Sequence, residues 1–117
     1  PFRLRVLDNC KEVTGTIESI KEEKDGDLHI RLKLDPSYAK VINQANVKAQ
    51  KGDLVLEPVC VGKVTQDDAK EACQHFHSTV TVPAVGSHVS VKGSYVLDLM
   101  HGGWAEIHPV SSFEVTK

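Results

Sequence analysis

The chain has 117 residues, of which 40% are hydrophobic and 26% are charged, and its formal net charge is −2. This length suits one domain with a core that needs no obligatory metal or disulfide support. The slightly negative charge excludes a global basic field for nucleic-acid backbones, and no apolar run approaches the roughly 20 residues that span a bilayer. We therefore expect no membrane insertion, and nucleic-acid binding only through a local basic patch.

The N-terminal segment, residues 1–9, stands apart from the rest of the sequence. Alternation over residues 2–7 predicts an arm or an edge strand, and residues 10–117 are then expected to form a barrel domain. An arm of this kind could pair with a second copy of the chain by strand addition, which is one structural role we consider. Residues 13–20 are typical of a half-buried first barrel strand, in which Gly15 indicates a bulge or a sharp bend.

Residues 27–35 alternate between apolar and polar side chains, which predicts a strand with one buried face. The apolar members of this set are expected in the core: Leu28, Ile30, Leu32 and Leu34. Asp27, His29 and Arg31 then point to the opposite side of the strand. This strand therefore supplies the first candidates for an outer functional face.

A helical insertion is predicted next, because Asp35 followed by Pro36 is a favourable helix start. We expect this helix to run to about Gln50. Residues 53–60 then form the third strand, and a second helix follows over residues 65–76.

Three cysteines, Cys10, Cys60 and Cys73, lack the C-x-x-C spacing of zinc ribbons and thioredoxin-like sites. In an oxidising compartment we expect a disulfide between Cys60 and Cys73, which would contribute on the order of 3 kcal/mol. The alternative is three buried free thiols that behave as small apolar residues.

The last third of the chain predicts a β-hairpin, since strand-like residues 89–97 and 105–115 flank a glycine pair. A two-residue turn would oppose Lys92 to Phe113 and mix the two faces, so a three-residue turn over residues 101–103 is favoured. The favoured register pairs apolar residues: Leu97 with Ile107, Tyr95 with Pro109, Val91 with Phe113 and Val89 with Val115.

On the other face of the hairpin, the same register brings Asp98 opposite Glu106 and Val96 opposite His108. Directly opposed carboxylates repel each other unless a cation, a protonated histidine or water lies between them. Both solutions remain open, a recruited cation or screening by solvent.

The order of elements predicts a mainly β fold, a five-stranded OB-like Greek-key barrel with a helix between strands 3 and 4 and a helical insertion between strands 2 and 3. In that topology the third strand lies between the second and the fifth. Outward residues His29, Glu57, Glu106 and His108 are then expected on one external face.

Two functions fit that face. The first is a module that binds a small ligand, a protein or, with fewer aromatic residues than usual, a nucleic acid. Its candidate ligand-binding residues are His29, Arg31, Glu57, Trp104, Glu106 and His108. The second is a metal-dependent, phosphodiesterase-like hydrolase, because mixed imidazole and carboxylate ligands suit zinc or manganese. Its candidate metal ligands are Asp27, His29, Glu57, Asp98, His101, Glu106 and His108.

Several short motifs are shared with known proteins. They are Val-Thr-Gly-Thr at residues 13–16, Asp-Gly-Asp-x-His at residues 25–29, Glu57 shortly before Cys60, His101-Gly102, and Glu-Ile-His-Pro-Val at residues 106–110. In these the chain resembles small, often exported prokaryotic domains of unassigned function. The resemblance implies an OB-like fold and an extracytoplasmic or secreted protein, and it brings no established activity.

Overall fold

The computed structural model describes residues 3–59 and 80–116. These residues form five strands: β1 (Leu4–Glu22), β2 (Leu28–Leu34), β3 (Leu54–Leu56), β4 (His88–Asp98) and β5 (Trp104–Val115). The helical elements are short: a 3₁₀ helix at Pro36–Val41, α1 (Gln44–Ala49) and a 3₁₀ turn at Leu99–His101. The predicted helix over residues 65–76 and the predicted Cys60–Cys73 disulfide lie outside the described residues. None of the described helices is long and apolar enough to cross a membrane.

The five strands form one closed sheet in the order β1-β2-β3-β5-β4, with β4 returning to β1. The β3–β5 pair is parallel and the other pairs are antiparallel. Register shifts interrupt the β1–β2, β1–β4 and β4–β5 pairs, so the closed sheet is not a regular barrel. The prediction of a mainly β, five-stranded fold is confirmed.

The predicted alternation of β2 is reproduced, since Ile30 and Leu32 are fully buried while Leu28 and Leu34 pack at the edge of the core. The remaining core comes from the inward faces of the other strands and from the insertion: Val13, Ile17, Val41, Leu54, Leu56, Val89, Val91, Ala105, Ile107 and Val110. Burying side chains of this size stabilises the fold by roughly 1.5–3 kcal/mol each.

The first strand is longer than the sequence pattern indicates. Residues 4–9, which the pattern separates as an arm, are continuous with the rest of β1 and pair with β4 of the same chain, for example Leu4 with Asp98. Gly15 marks a close approach and not the expected bulge, because a Cβ there would lie 2.4 Å from the backbone oxygen of Lys33. The β1–β2 register shifts further along, between Ile17 and Ser19.

The insertion between β2 and β3 is two short helices where the sequence predicts one. Asp35 precedes the 3₁₀ helix but makes no side-chain cap, and the chain becomes extended again at Ile42. Asn43 then starts α1 with a capping box. The Asn43 side chain accepts from the backbone N–H of Asn46, and the Asn46 side chain accepts from the backbone N–H of Asn43. A strong cap at Asn43 explains why the helix restarts there.

The hairpin register was predicted correctly at its open end and wrongly at its closed end. Val89 pairs with Val115 and Val91 with Phe113, as expected. Beyond Gly93 the register slides by two residues, so the remaining expected pairs are replaced: Leu97 faces Ala105, Tyr95 faces Ile107, Val96 faces Glu106 and Asp98 faces Trp104.

The shift occurs at Gly93 because this residue has no side chain to keep the strands apart. A Cβ at Gly93 would lie 2.3 Å from the oxygen of Pro109 and 2.5 Å from Cγ2 of Ile107. The hairpin consequently closes through the 3₁₀ turn and two glycines with positive φ, Gly102 and Gly103. Asp98 therefore does not oppose Glu106.

Candidate functional site

Helix α1 packs against β5, and its residue Asn46 joins the backbone just before β3 to the start of β5. Asn46 is fully buried, and its Nδ2 donates to the backbone oxygens of Asp53 (2.9 Å) and Ala105 (3.0 Å). Its Oδ1 accepts from the backbone N–H of Ala105 at 2.8 Å. The sequence predicts an exposed outer face here, but Val55 and Glu106 on that face have no solvent-exposed area. The outer face of β3 and β5 is thus a second buried layer.

A network of one histidine and two glutamates lies in this layer. Nδ1 of His108 is 3.0 Å from Oε1 of Glu106 and 3.0 Å from Oε2 of Glu57. Carboxylate oxygens only accept, so this nitrogen carries the proton and donates to both. The other oxygen of Glu106, Oε2, accepts from Nε1–H of Trp104 at 2.5 Å. His108 is therefore the shared hydrogen-bond donor that holds two buried carboxylates together.

The ionisation of this network departs far from that of exposed residues. Burial by itself would raise the pKa of Glu57, but hydrogen bonds from His108 and His29 outweigh it and lower the pKa to about 2. Burial likewise opposes the charge on His108, yet its bonds to Glu106 and Glu57 raise its pKa to about 10. Burial and the nearby charge of Glu57 raise the pKa of Glu106. At neutral pH Glu57 is thus an anion and His108 a cation.

His29 lies on the opposite side of Glu57 from His108. Its Nε2 is 2.9 Å from Oε1 of Gln50, and its Nδ1 is 3.4 Å from Oε1 of Glu57. The amide oxygen of Gln50 is an acceptor, so Nε2 carries a proton and a neutral His29 points the lone pair of Nδ1 toward Glu57. The pKa of His29 is raised, mainly by its hydrogen bond to Glu57. Nδ1 therefore requires a proton or another cation.

A cavity of about 240 Å³ opens beside His29. Its lining residues are Lys21, Glu23, His29, Gln50, Glu57, His101 and Trp104. Trp104 meets His29 edge-on, with ring centroids 6.1 Å apart, and stacks on His101 at 5.1 Å. Three elements of the sheet and the end of the insertion thus converge on one polar pocket.

Two groups of side chains have ligand atoms close enough to share a metal ion. Glu23, His29 and Glu57 place theirs within 4.8 Å of one another, as do Asp27, Glu57 and His108. All three members of the first group line the cavity, whereas Nδ1 of His108 already donates to two carboxylates. The first group is the better candidate metal site because it is open to a ligand.

Most of the candidate residues predicted from the sequence are brought together. A chain of direct contacts joins His29, Glu57, Glu106, His108 and Trp104. His101, bonded to Asp98, joins them by stacking on Trp104, and Asp27 lies near Glu57.

Arg31 is the candidate that does not take part. Its guanidinium donates to Oδ2 of the buried Asp53 at 2.8 Å, and Arg31 is not among the residues that line the cavity. A charged pair between β2 and the start of β3 occupies this side chain.

Three lining residues were missed by the sequence interpretation. Lys21 and Glu23 fall beyond the first predicted strand, residues 13–20, although β1 extends to Glu22 and pairs Lys21 with His29. Predicting a longer hairpin between β1 and β2 would have placed both residues near His29. Gln50 has no local signal, since only the fold of the insertion brings it to His29.

A second histidine and carboxylate cluster lies outside the cavity, where the start of β4 meets residues next to β2 and β5. Nε2 of His88 is 2.7 Å from Oδ2 of Asp35, which also accepts from Oγ1 of Thr14 at 2.6 Å. Nδ1 of His88 contacts the hydroxyl of Thr116. The side chains of His88 and Asp35 are 40% and 34% exposed.

No family model matches this chain, and no curated protein or solved structure matches it either. Any functional inference consequently depends on the geometry of the site itself.

Proposed function

We propose that this chain is an OB-like barrel domain whose outer face binds a divalent transition-metal ion at Glu23, His29 and Glu57. The strand order β1-β2-β3-β5-β4 and the parallel β3–β5 pair support the OB-like assignment, which places ligands on the face of strands 2 and 3. The cavity lies on that face. Binding of a further ligand in the cavity would then occur through the metal.

The orientation of His29 is the observation that carries the proposal. Histidine ligands of metals commonly donate their other ring N–H to a carbonyl or carboxylate, which fixes the tautomer and directs the lone pair at the ion. Nε2–H of His29 donates to Gln50 in this way, and Nδ1 faces Glu57. A cation between Nδ1 and the two glutamates would take the place of the proton that Nδ1 otherwise needs beside Glu57.

Glu57 is prepared for this role by its second oxygen. Oε2 accepts from His108, while Oε1 faces His29 and the cavity. The low pKa of Glu57, about 2, keeps this carboxyl deprotonated at neutral pH, so Glu57 itself has no proton to lose before an ion binds. One imidazole and two carboxylates suit zinc or manganese and leave coordination positions for water or substrate.

The test is a titration of metal-stripped protein with Zn²⁺ and with Mn²⁺ by calorimetry, supported by elemental analysis after dialysis. We expect about one equivalent to bind. His29→Ala should abolish binding, and Gln50→Ala should weaken it by roughly 10–100-fold, the usual effect of losing an outer hydrogen-bond partner.

His88→Ala is the matched control, because it removes a histidine that also contacts a carboxylate but lies outside the cavity. Its metal affinity should equal that of the wild type. Absence of binding, or equal affinity in His29→Ala, would overturn the proposal and favour a protonated His29 paired with Glu57 in a metal-free pocket.

A further inference from the structure

His101 is held at the cavity wall by a buried carboxylate. Its Nδ1 is 2.9 Å from Oδ2 of Asp98, while Oδ1 of Asp98 accepts from the Met100 backbone at 3.1 Å. The Asp98 side chain is only 2% exposed and that of His101 is 55% exposed. Stacking on Trp104 fixes the plane of the imidazole ring.

This arrangement leaves Nε2 as the nitrogen of His101 that can exchange a proton with a molecule in the cavity. A buried aspartate bonded to Nδ1–H sets the tautomer of the ring and stabilises it when it carries a positive charge, as in other acid–base histidines. His101 is not in either of the groups that could share a metal ion. Its geometry therefore fits proton transfer beside the metal and not coordination.

The charge of the cavity indicates what it would bind. Among its lining residues, Glu23 and Glu57 are acidic and Lys21 is basic. When His29 is neutral and the charge of a protonated His101 is balanced by Asp98, the pocket carries one net negative charge. A divalent ion reverses this to one net positive charge. The metal-loaded pocket then complements a ligand with a single negative charge, and a metal with a lysine is a recurrent pair around phosphoryl groups.

The size of the cavity limits the part of the ligand that it encloses. A volume of about 240 Å³ lies just below the usual range of small-molecule sites, which begins at roughly 300 Å³. A phosphodiester group, which carries one negative charge, fits within it, while larger substituents would extend past the exposed His101.

We propose that the metal-loaded pocket hydrolyses phosphodiesters, with His101 as the proton donor and Asp98 as its positioning residue; this inference rests on the proposed metal site. The oxygen of a metal-bound water forms a bond to phosphorus while the bond from phosphorus to the leaving oxygen breaks. Nε2 of His101 gives its proton to that leaving oxygen, and the proton lost by the water passes to solvent. His101 regains a proton from solvent, and Lys21 neutralises the phosphate.

The experiment compares two substrates that differ in their need for a proton donor. Methyl p-nitrophenyl phosphate has a leaving group that departs without protonation, whereas methyl phenyl phosphate has a poorer one. With Mn²⁺- or Zn²⁺-loaded protein, His101→Asn should lower kcat about 100-fold on the phenyl ester, a usual magnitude for general acid catalysis, and much less on the p-nitrophenyl ester. Asp98→Asn should show the same selectivity with a smaller loss.

Two controls separate this proposal from the metal site on which it depends. His101→Asn should bind the metal as tightly as the wild type, and His88→Asn should retain full activity on both esters. Hydrolysis by the metal-loaded wild type no faster than by free metal would overturn the activity while leaving the metal site intact. A titration that detects no metal binding would overturn both the metal site and the activity. Equal losses on the two esters in His101→Asn would exclude His101 as the proton donor.

Discussion

His108 and His88 each bind a carboxylate, yet their surroundings differ in almost every other respect. His108 lies between Glu57 and Glu106, and Glu106 has no exposed area. His88 contacts one carboxylate, that of Asp35, and more than a third of each side chain is exposed to solvent. The same pair of functional groups is therefore present in a buried and in a half-exposed form.

From this difference we expect burial, more than hydrogen-bond geometry, to decide how strongly such a pair is coupled to folding. Where water is excluded, the charges of the buried cluster are stabilised by one another and by the neighbouring Trp104 and His29 side chains. At the exposed cluster, hydroxyl groups of Thr14 and Thr116 share the bonds and solvent screens the charges. The cluster around His108 should therefore dominate stability and its pH dependence.

The largest expected effect comes from removing the buried cation. His108→Ala leaves Glu57 and Glu106 close together without their shared donor, and loss of one partner of a buried ion pair typically costs about 3–5 kcal/mol. His88→Ala, the matched change in the exposed cluster, should cost about 1 kcal/mol or less. Urea unfolding of both variants measures the difference, and equal losses would refute the importance of burial.

Stability should also depend on pH through the buried cluster. The contribution of Glu57, whose folded pKa is about 2 against an ordinary 4.5, is fully present above pH 4.5 and is lost as the pH falls through 2. That of His108, with a folded pKa of about 10 against 6.5, is fully present below pH 6.5 and is lost as the pH rises through 10. Glu106, whose pKa is raised, also loses its contribution as the pH rises.

Because the contribution of Glu106 declines above its ordinary pKa of 4.5, we expect the urea midpoint to be highest near pH 4.5. It should fall toward pH 10, more steeply above pH 6.5, where the contribution of His108 is also lost. His108→Gln should flatten the alkaline decline, whereas His88→Gln should retain it. Parallel alkaline profiles for the wild type and His108→Gln would contradict the assignment.

The smallest expected effects come from removing one hydrogen-bond donor from each cluster. Trp104→Phe keeps an aromatic ring but removes the N–H that donates to Glu106, so a loss of about 2 kcal/mol is expected for a bond to a buried charged group. Thr14→Val removes the corresponding hydroxyl donor to Asp35 and should cost about 0.5–1 kcal/mol. Thermal and urea unfolding would rank the two, and the reverse order would count against the comparison.

Local patterns predicted the strands well where one face is apolar. The alternation in β2 places Ile30 and Leu32 in the core, and the apolar pairing of Val89 with Val115 sets the open end of the hairpin. The register beyond Gly93 was not predictable in this way, because it depends on how closely the β4 backbone approaches Pro109. No periodicity in the sequence reports such an approach.

The sequence predicted only part of the candidate site, and the physical reason is related. Strand alternation directs His29, Glu57 and His108 away from the core, which suffices to group them once the strand order is known. The same alternation indicates an exposed surface, whereas Val55 and Glu106 on this face are fully buried. It also missed Gln50, because only the fold of the insertion brings this residue to His29.

By itself, the sequence determined the strand-rich fold, the inward residues of its strands and the identity of most side chains at the site, because these follow from local alternation and turn chemistry. Only the tertiary structure decided that the outer face of β3 and β5 is buried and that His108 lies between two carboxylates. It also decided that His29 turns Nδ1 toward Glu57 and Nε2 toward Gln50. Those features arise from contacts between residues distant in the chain, and burial there changes the ionisation of groups whose residue types alone suggest ordinary surface charges.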